Sequence, residues 1–280
     1  MSLEKGLVWA HQDIRLTGYS LAGITTSVGF SAADALFDVG QGLPWQIPFG
    51  NILITHGHMD HAAGLPYLIG QKAMHGTSRA RIHLPPHLIE PLGEIMRIWS
   101  GVEEHTYNFE FIPVFPGRDY PLKGDYFARS FPTVHRVPST GYTIFERKKR
   151  LKEEFRGRSP SELGRLRHGG TVIDESYEAN VLSFTGDTQI EFLDSAQARE
   201  SQVLVMECTF WDDKRNVARA REWGHIHLDE LIPRLDDIRA QKILLIHSSV
   251  RYAPAELVRI LDEKVPAVHR ARVEVFPRGR

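Results

Sequence analysis

Three histidines and an aspartate fall within six residues, at His56, His58, Asp60 and His61, directly after the apolar run Asn51-Ile52-Leu53-Ile54-Thr55. Four imidazole and carboxylate groups this close together cannot be buried without a partner that offsets their desolvation. A metal ion is such a partner, and the spacing suits two ions rather than one. His56 and His58 flank Gly57 and can turn toward one ion, while Asp60 and His61 lie further along and can face a second. A solvated polar turn is the competing explanation, and the rest of the chain weighs against it. Three more ligand-type residues stand just past apolar runs: His135 after 131–134, Asp187 after Ser183-Phe184-Thr185-Gly186, and His247 after Ile243-Leu244-Leu245-Ile246. Together they complete two shells, His56, His58 and His135 around one ion and Asp60, His61 and His247 around the other, with the Asp187 carboxylate bridging. Nitrogen and oxygen donors without thiolate suit zinc first, with manganese or iron as alternatives. Two such cations lower the pKa of a bridging water from 15.7 toward about 7, so a hydroxide exists at neutral pH. Asp60 can orient and deprotonate that water.

The elements that must carry these residues follow from the pattern. Apolar, β-branched runs bounded by turn residues predict strands at 51–55, 81–84, 107–111, 126–128, 130–134, 142–145, 181–185, 203–206, 243–246 and 273–276, with short strands between 7 and 39. Helices are expected from Ala62-Ala63-Gly64-Leu65 to about Met74, from Pro85-Pro86 to Trp99, near 190–200, and over 212–222, 228–240 and 254–264. Residues 147–168 hold nine Lys or Arg against three Glu, a net charge of +6, and are expected to form an exposed helical excursion. Strands followed by strand–helix alternation at both ends predict one α/β domain over 1–280, two sheets with helices outside and a short basic insertion near 147–170.

At 280 residues, with 42% apolar and 25% charged residues, the composition is that of a globular chain able to bury a large core. Lys plus Arg (34) nearly balances Asp plus Glu (35), which excludes a generic polyanion binder but not a local basic patch. Cys208 is the only cysteine, so no intrachain disulfide can form and a reducing compartment is expected. The first residues lack a secretory pattern and no run is long enough to span a membrane, so a cytoplasmic location without membrane attachment is expected.

With these residues in view the chain resembles the metallo-β-lactamase superfamily, and within it the ribonuclease Z family of tRNA 3′-processing endonucleases. The resemblance rests on 36–42 (LFDVGQG), 55–66 (THGHMDHAAGLP), 135–142 (HRVPSTGY), 164–172 (GRLRHGGTV), 184–188 (FTGDT), 206–210 (MECTF) and 247–252 (HSSVRY). It implies an αβ/βα four-layer sandwich, a dinuclear edge site, an RNA substrate such as a tRNA precursor, and a homodimer. It also implies that Glu207 and His225 form a carboxylate–histidine pair donating a proton to the leaving alkoxide. His227 stands where family members carry a smaller residue, and His225 is preferred by register. Arg251 is expected to bind a phosphate, with Ser139 and Tyr142 shaping the pocket wall. The family's long arm is shortened here to the basic insertion. Two alternatives therefore stay open: hydrolysis of a small phosphodiester, sulfate ester or thioester, and a non-catalytic nucleic-acid-binding role, which the filled ligand positions disfavour.

Overall fold

The computed structural model describes residues 5–77 and 79–278; residues 1–4, part of the start read as lacking a secretory pattern, lie outside the described residues. Two seven-stranded sheets face each other. In the first, β1 (Leu7–His11), β2 (Ile14–Leu21), β3 (Thr25–Phe30) and β4 (Ala35–Phe37) form an antiparallel meander. It continues in parallel through β5 (Asn51–Leu53), β6 (Ala80–Leu84) and β7 (Phe109–Pro113). The second repeats the plan. Here β8 (Asp119–Pro121), β9 (Tyr126–Pro132), β10 (Thr140–Leu151) and β11 (Asp174–Phe184) are antiparallel. The parallel strands β12 (Val203–Glu207), β13 (Lys242–Ile246) and β14 (Val273–Val275) follow. The longer helices α1 (Leu65–Met74) and α2 (Ile89–Val102) belong to the first half, and α3 (Pro160–His168) and α4 (Pro254–Lys264) to the second.

Three separate apolar layers hold this arrangement. Leu16, Phe30, Phe37, Leu53, Ile144, Leu182, Phe184 and Val205 fill the space between the sheets, where the Phe37 and Phe184 rings stack at 4.7 Å. Leu36, Ile52 and Ile82 face the other way, onto Leu65, Leu68, Ile69 and Met96 of α1 and α2. Leu204, Met206, Ile243 and Leu245 pack onto Leu257, Ile260 and Leu261 of α4. Helix, sheet, sheet, helix is the expected four-layer sandwich. The central parallel strands are buried on both faces, which is why their sequences read as continuous apolar runs rather than alternating ones.

The basic insertion departs from the helical expectation. Arg147–Leu151 extend β10 as a two-stranded ribbon, paired with Asp174–Glu178 of β11; beyond it come a 3-10 turn at Glu153–Phe155 and an α-helix only at Pro160–His168. Antiparallel pairing satisfies the ribbon backbone while its charged side chains stay in solvent, tied by pairs such as Arg150–Glu175 at 2.7 Å. The α3 start is fixed by a capping box of Ser159 and Glu162. The expected helix over 212–222 starts only at Val217, where Asn216 accepts from the Arg219 amide. The one over 228–240 is a single α turn, Leu228–Leu231, tightening into 3-10 geometry at Ile232–Asp237 around Pro233.

Candidate metal centre and cleft

Four residues of the cluster hang from strand ends, and Asp60 and His61 sit on the one-turn helix Met59–Ala62 just after His58. His56 lies three residues beyond β5, His135 three beyond β9, Asp187 three beyond β11, and His247 directly follows β13. The strands end together at one edge of the sandwich, the usual location of sites in open α/β sheets. Two backbone adjustments bring the side chains in. Gly186 has φ +61°, and a Cβ there would lie 2.6 Å from the Thr55 side chain, so glycine lets the Asp187 turn press against the first sheet. His247 itself adopts φ +58°, a strained conformation for a side-chain-bearing residue and one that clusters at functional sites.

The donor atoms converge as two groups. His56, His58, His135 and Asp187 place one donor each within 4.8 Å of one another, and Asp60, His61 and His247 do the same. Asp187 Oδ2 lies 3.7 Å from His56 Nε2, 3.9 Å from His135 Nε2 and 3.4 Å from His247 Nε2, so this carboxylate stands between the groups. His61 Nε2 is 3.3 Å from Asp187 Oδ1, and His247 Nε2 is 3.3 Å from Asp60 Oδ2. His225 converges with Asp187 and His247 in a third group.

The far ring nitrogens are already engaged. His61 Nδ1 meets Asp38 Oδ2 at 2.7 Å, His56 Nδ1 meets Thr55 Oγ1 at 2.9 Å, His135 Nδ1 meets the Gly224 carbonyl at 2.8 Å, and His247 Nδ1 meets Thr209 Oγ1 at 2.9 Å. Each contact leaves Nε2 as the inward nitrogen. His56 Nε2, His61 Nε2 and Asp187 Oδ1 are buried there without any hydrogen-bond partner. Orphaned buried donors and acceptors are costly, and these fit a divalent cation, whose ligands are neutral imidazole and carboxylate oxygen held by outer hydrogen bonds.

The electrostatics agree. Burial opposes ionisation of Asp187, yet His247 and His61 hold its carboxyl well below the usual range. Asp60 is likewise lowered against its burial, by the His247 hydrogen bond and by His61. Burial works against the His61 cation, but Asp187 and Asp38 hold its pKa well above the ordinary histidine value. For His56, burial and the neighbouring His61 push the pKa well down, leaving a neutral ring. The carboxylates demand positive charge, which His61 is held ready to carry while His56 stays neutral.

Beside this cluster Glu207 is fully buried at the end of β12. Its Oε1 accepts from His225 Nδ1 and the Thr188 amide, both at 2.8 Å, and its Oε2 accepts from Thr209 Oγ1 at 2.7 Å. Burial disfavours the His225 cation, but Glu207 outweighs it and pushes the pKa up to about 9. His227 points elsewhere: it is buried at a helix start, where its Nδ1 accepts from the Asp229 amide at 3.1 Å. Arg251 lines a cleft of about 400 Å³ that opens over His58, Asp60, Asp187, His225 and His247.

Two expected pocket residues are not brought there. Tyr142 is fully buried between the sheets, and its hydroxyl donates to the Ile54 and His83 carbonyls at 2.7 and 3.2 Å, so it staples the sheets instead. Ser139 bonds Thr133 Oγ1 at 2.6 Å and lies outside the cleft lining. Conversely, sequence reasoning assigned no role to Asp38, Thr55, Thr209 or Gly224, the partners that orient the histidines. Asp38 carried the same signal as the ligands, a polar residue just past an apolar strand; the other three carried none.

A family model described as a beta-lactamase superfamily domain matches residues 33–248. The chain is 30% identical to tRNase Z TRZ1 of Arabidopsis thaliana over 258 residues, covering 91% of this chain and 92% of that one. It is 28% identical to ribonuclease Z of Halobacterium salinarum over 245 residues, 78% of each. Among solved structures, the metallo-beta-lactamase fold protein YhfI of Bacillus subtilis superposes with a TM-score of 0.64 at 15% identity, covering 94% of this chain and 95% of that chain. Human tRNase Z, short form, gives 0.57 at 18% identity, covering 98% and 94%. These two likenesses concern the fold.

Proposed function

The chain belongs to the ribonuclease Z family of the beta-lactamase superfamily, and on that premise we propose that it is a dinuclear metal-dependent phosphodiesterase that cleaves RNA at the 3′ end of tRNA precursors. The observation that carries this reading is the convergence of seven donors in two groups beside the buried Glu207–His225 pair. We assign His56, His58 and His135 to one ion, Asp60, His61 and His247 to the other, and Asp187 to both. Zinc suits these donors best, with manganese or iron as alternatives. When bound, two divalent ions supply Lewis-acid stabilisation of phosphoryl charge and acidify water at neutral pH.

The chain's own residues do the rest. Asp60 Oδ2 is fixed by the Gly23 amide at 2.8 Å, so this carboxylate is held to orient an attacking water and accept its proton. His225, kept protonated by Glu207, presents Nε2 to the cleft and donates a proton to the departing 3′ oxygen. Arg251 at the rim supports a phosphate there. The +6 charge of residues 147–168 favours a polyanion over a neutral ester.

In the same reading the protein is a single domain working in the cytoplasm, and no helix among the described residues is long and apolar enough to cross a membrane. We further propose a homodimer joined through α1 and α2, which leave Tyr67, Met74 and Trp99 exposed around an apolar hollow and Ile98 exposed on α2. The test of the main reading is a turnover panel with zinc-loaded protein on precursor tRNA, a chromogenic phosphodiester, an aryl sulfate and a thioester. Precursor tRNA is expected to be cut at its 3′ end and Asp60→Ala to abolish that cleavage. Activity confined to the sulfate or thioester would overturn the reading in favour of a small-ester hydrolase.

A further inference from the structure

The cleft has an edge that the metal-ligand arrangement does not require. Trp223 is 41% exposed, unusual for an indole, and lines the cleft beside His225. Gly224, with φ +77°, makes the local turn: a Cβ there would lie 2.8 Å from His135 Nδ1 and 3.0 Å from the Arg136 amide nitrogen. The turn thereby sets Trp223 next to Arg136 and His225 next to Glu207. Arg136 and Arg219 lie over the indole, their guanidinium carbons 5.4 and 5.3 Å from its centroid, and Arg215 lies over the ring of Phe210 at 5.5 Å.

Charge distinguishes this edge from an ordinary solvated surface. Arg219 pairs with Glu222 at 2.5 Å. Among the described residues, however, no carboxylate lies within ion-pair distance of Arg136, Arg215 or Arg251. A second hollow of about 520 Å³ shares Arg215, Trp223 and Arg251 with the cleft and continues away from the His/Asp cluster past Lys214 and Arg219, with Asp213 as its acidic member. Unpaired guanidinium groups along a groove, next to an aromatic face, are what a single-stranded nucleic acid requires: cations for its phosphates and a π surface for a base.

We propose that Trp223, together with the planar guanidinium groups of Arg136 and Arg219 laid over it, forms the stacking surface for the nucleobase next to the scissile phosphate, and that Arg215 and Arg251 hold the phosphates beyond it. This rests on the phosphodiesterase reading and narrows it: the substrate must offer at least one unpaired nucleotide on the His225 side. Because His225 serves the leaving oxygen in that reading, the stacked base belongs to the nucleoside that departs.

The experiment compares binding of a hydrolysis-resistant phosphorothioate octanucleotide with that of the same backbone lacking all bases, using the metal-loaded full chain. Trp223→Ala is expected to weaken octanucleotide binding about 5- to 150-fold, the range for one base–aromatic stack, and to weaken base-free binding about twofold or less. Trp223→Phe should keep most of the affinity, which separates stacking from misfolding. Arg215→Ala and Arg251→Ala should weaken both ligands alike and each lower the salt slope by about 0.7. Equal weakening of both ligands by Trp223→Ala, or of neither, overturns the platform. Hydrolysis of a base-free phosphodiester by the unsubstituted protein reports separately on the reading beneath it.

Discussion

Replacing Asp38 by asparagine changes one atom of a residue outside the proposed ligand set, yet it should weaken one of the two proposed metal sites. Asp38 is fully buried, and its Oδ1 accepts from the Thr55 amide at 2.8 Å. Its Oδ2 accepts both from Thr55 Oγ1, at 2.8 Å, and from His61 Nδ1, at 2.7 Å. With that hydroxyl committed to Asp38, Thr55 must accept from His56 Nδ1, so one carboxylate fixes the tautomer of two histidines. In Asp38→Asn the new side chain would keep the oxygen that serves the Thr55 amide and put an NH2 where two donors already point. His61 relieves the conflict by moving its proton to Nε2, the nitrogen that faces Asp60 and Asp187. A protonated Nε2 cannot ligate. Loss of such an outer partner costs about 10- to 100-fold in metal affinity, or about 1.4–2.8 kcal/mol at 1.4 kcal/mol per decade. Zinc titration against a competing chelator measures this directly, with thermal melting of the metal-free forms as the control for folding. Two sites of unchanged affinity in Asp38→Asn would refute the claim that Asp38 sets the His61 tautomer.

A second prediction concerns His83, whose two ring nitrogens are buried without partners and whose pKa is pushed down to about 3 by burial and by Arg81. The folded protein excludes a proton that the unfolded chain binds below its ordinary value of 6.5. Stability is therefore lost as pH falls from 6.5 toward 3, by about 1.4 kcal/mol per pH unit from this residue. His83→Leu should remove that component, so the stability of the variant relative to the unsubstituted protein should rise by about 1.4 kcal/mol per pH unit as pH falls from 6.5 toward 3 in denaturant titrations; parallel curves would show that His83 takes up its proton in the native state. A third concerns assembly. Trp99, 45% exposed on α2, sits at the centre of the proposed dimer face, and Trp99→Glu should convert a sedimenting dimer to monomer without lowering its melting cooperativity. An unsubstituted chain that sediments as a monomer at micromolar concentration would remove that interface.

Much of this protein was determined by residue types along the chain. Buried parallel strands must be continuous apolar runs, so Ile52–Ile54, Val203–Met206 and Ile243–Ile246 announced themselves. Ligand residues placed just past such runs announced the strand ends as a site. The pairing of Glu207 with His225 was expected from the resemblance, and the two side chains do meet, at 2.8 Å. What the chain alone left open depends on which atoms meet across the two sheets. Tyr142 has the composition of a pocket residue, but β10 lies in the middle of the second sheet, and its hydroxyl finds two carbonyls of the first. The ribbon at Arg147–Leu151 looks helical by charge alone because exposed strands and exposed helices are equally polar; its pairing with β11, more than twenty residues away at the Leu151–Asp174 end, decides it. Asp38, Thr55, Thr209 and Gly224 orient the histidines through single hydrogen bonds, which leave no periodicity or composition to detect. Local sequence fixes what a residue can do, since propensity and burial are local averages. Which partner it does it with is fixed by packing, because a hydrogen bond depends on ångström-scale distances between atoms far apart in the chain.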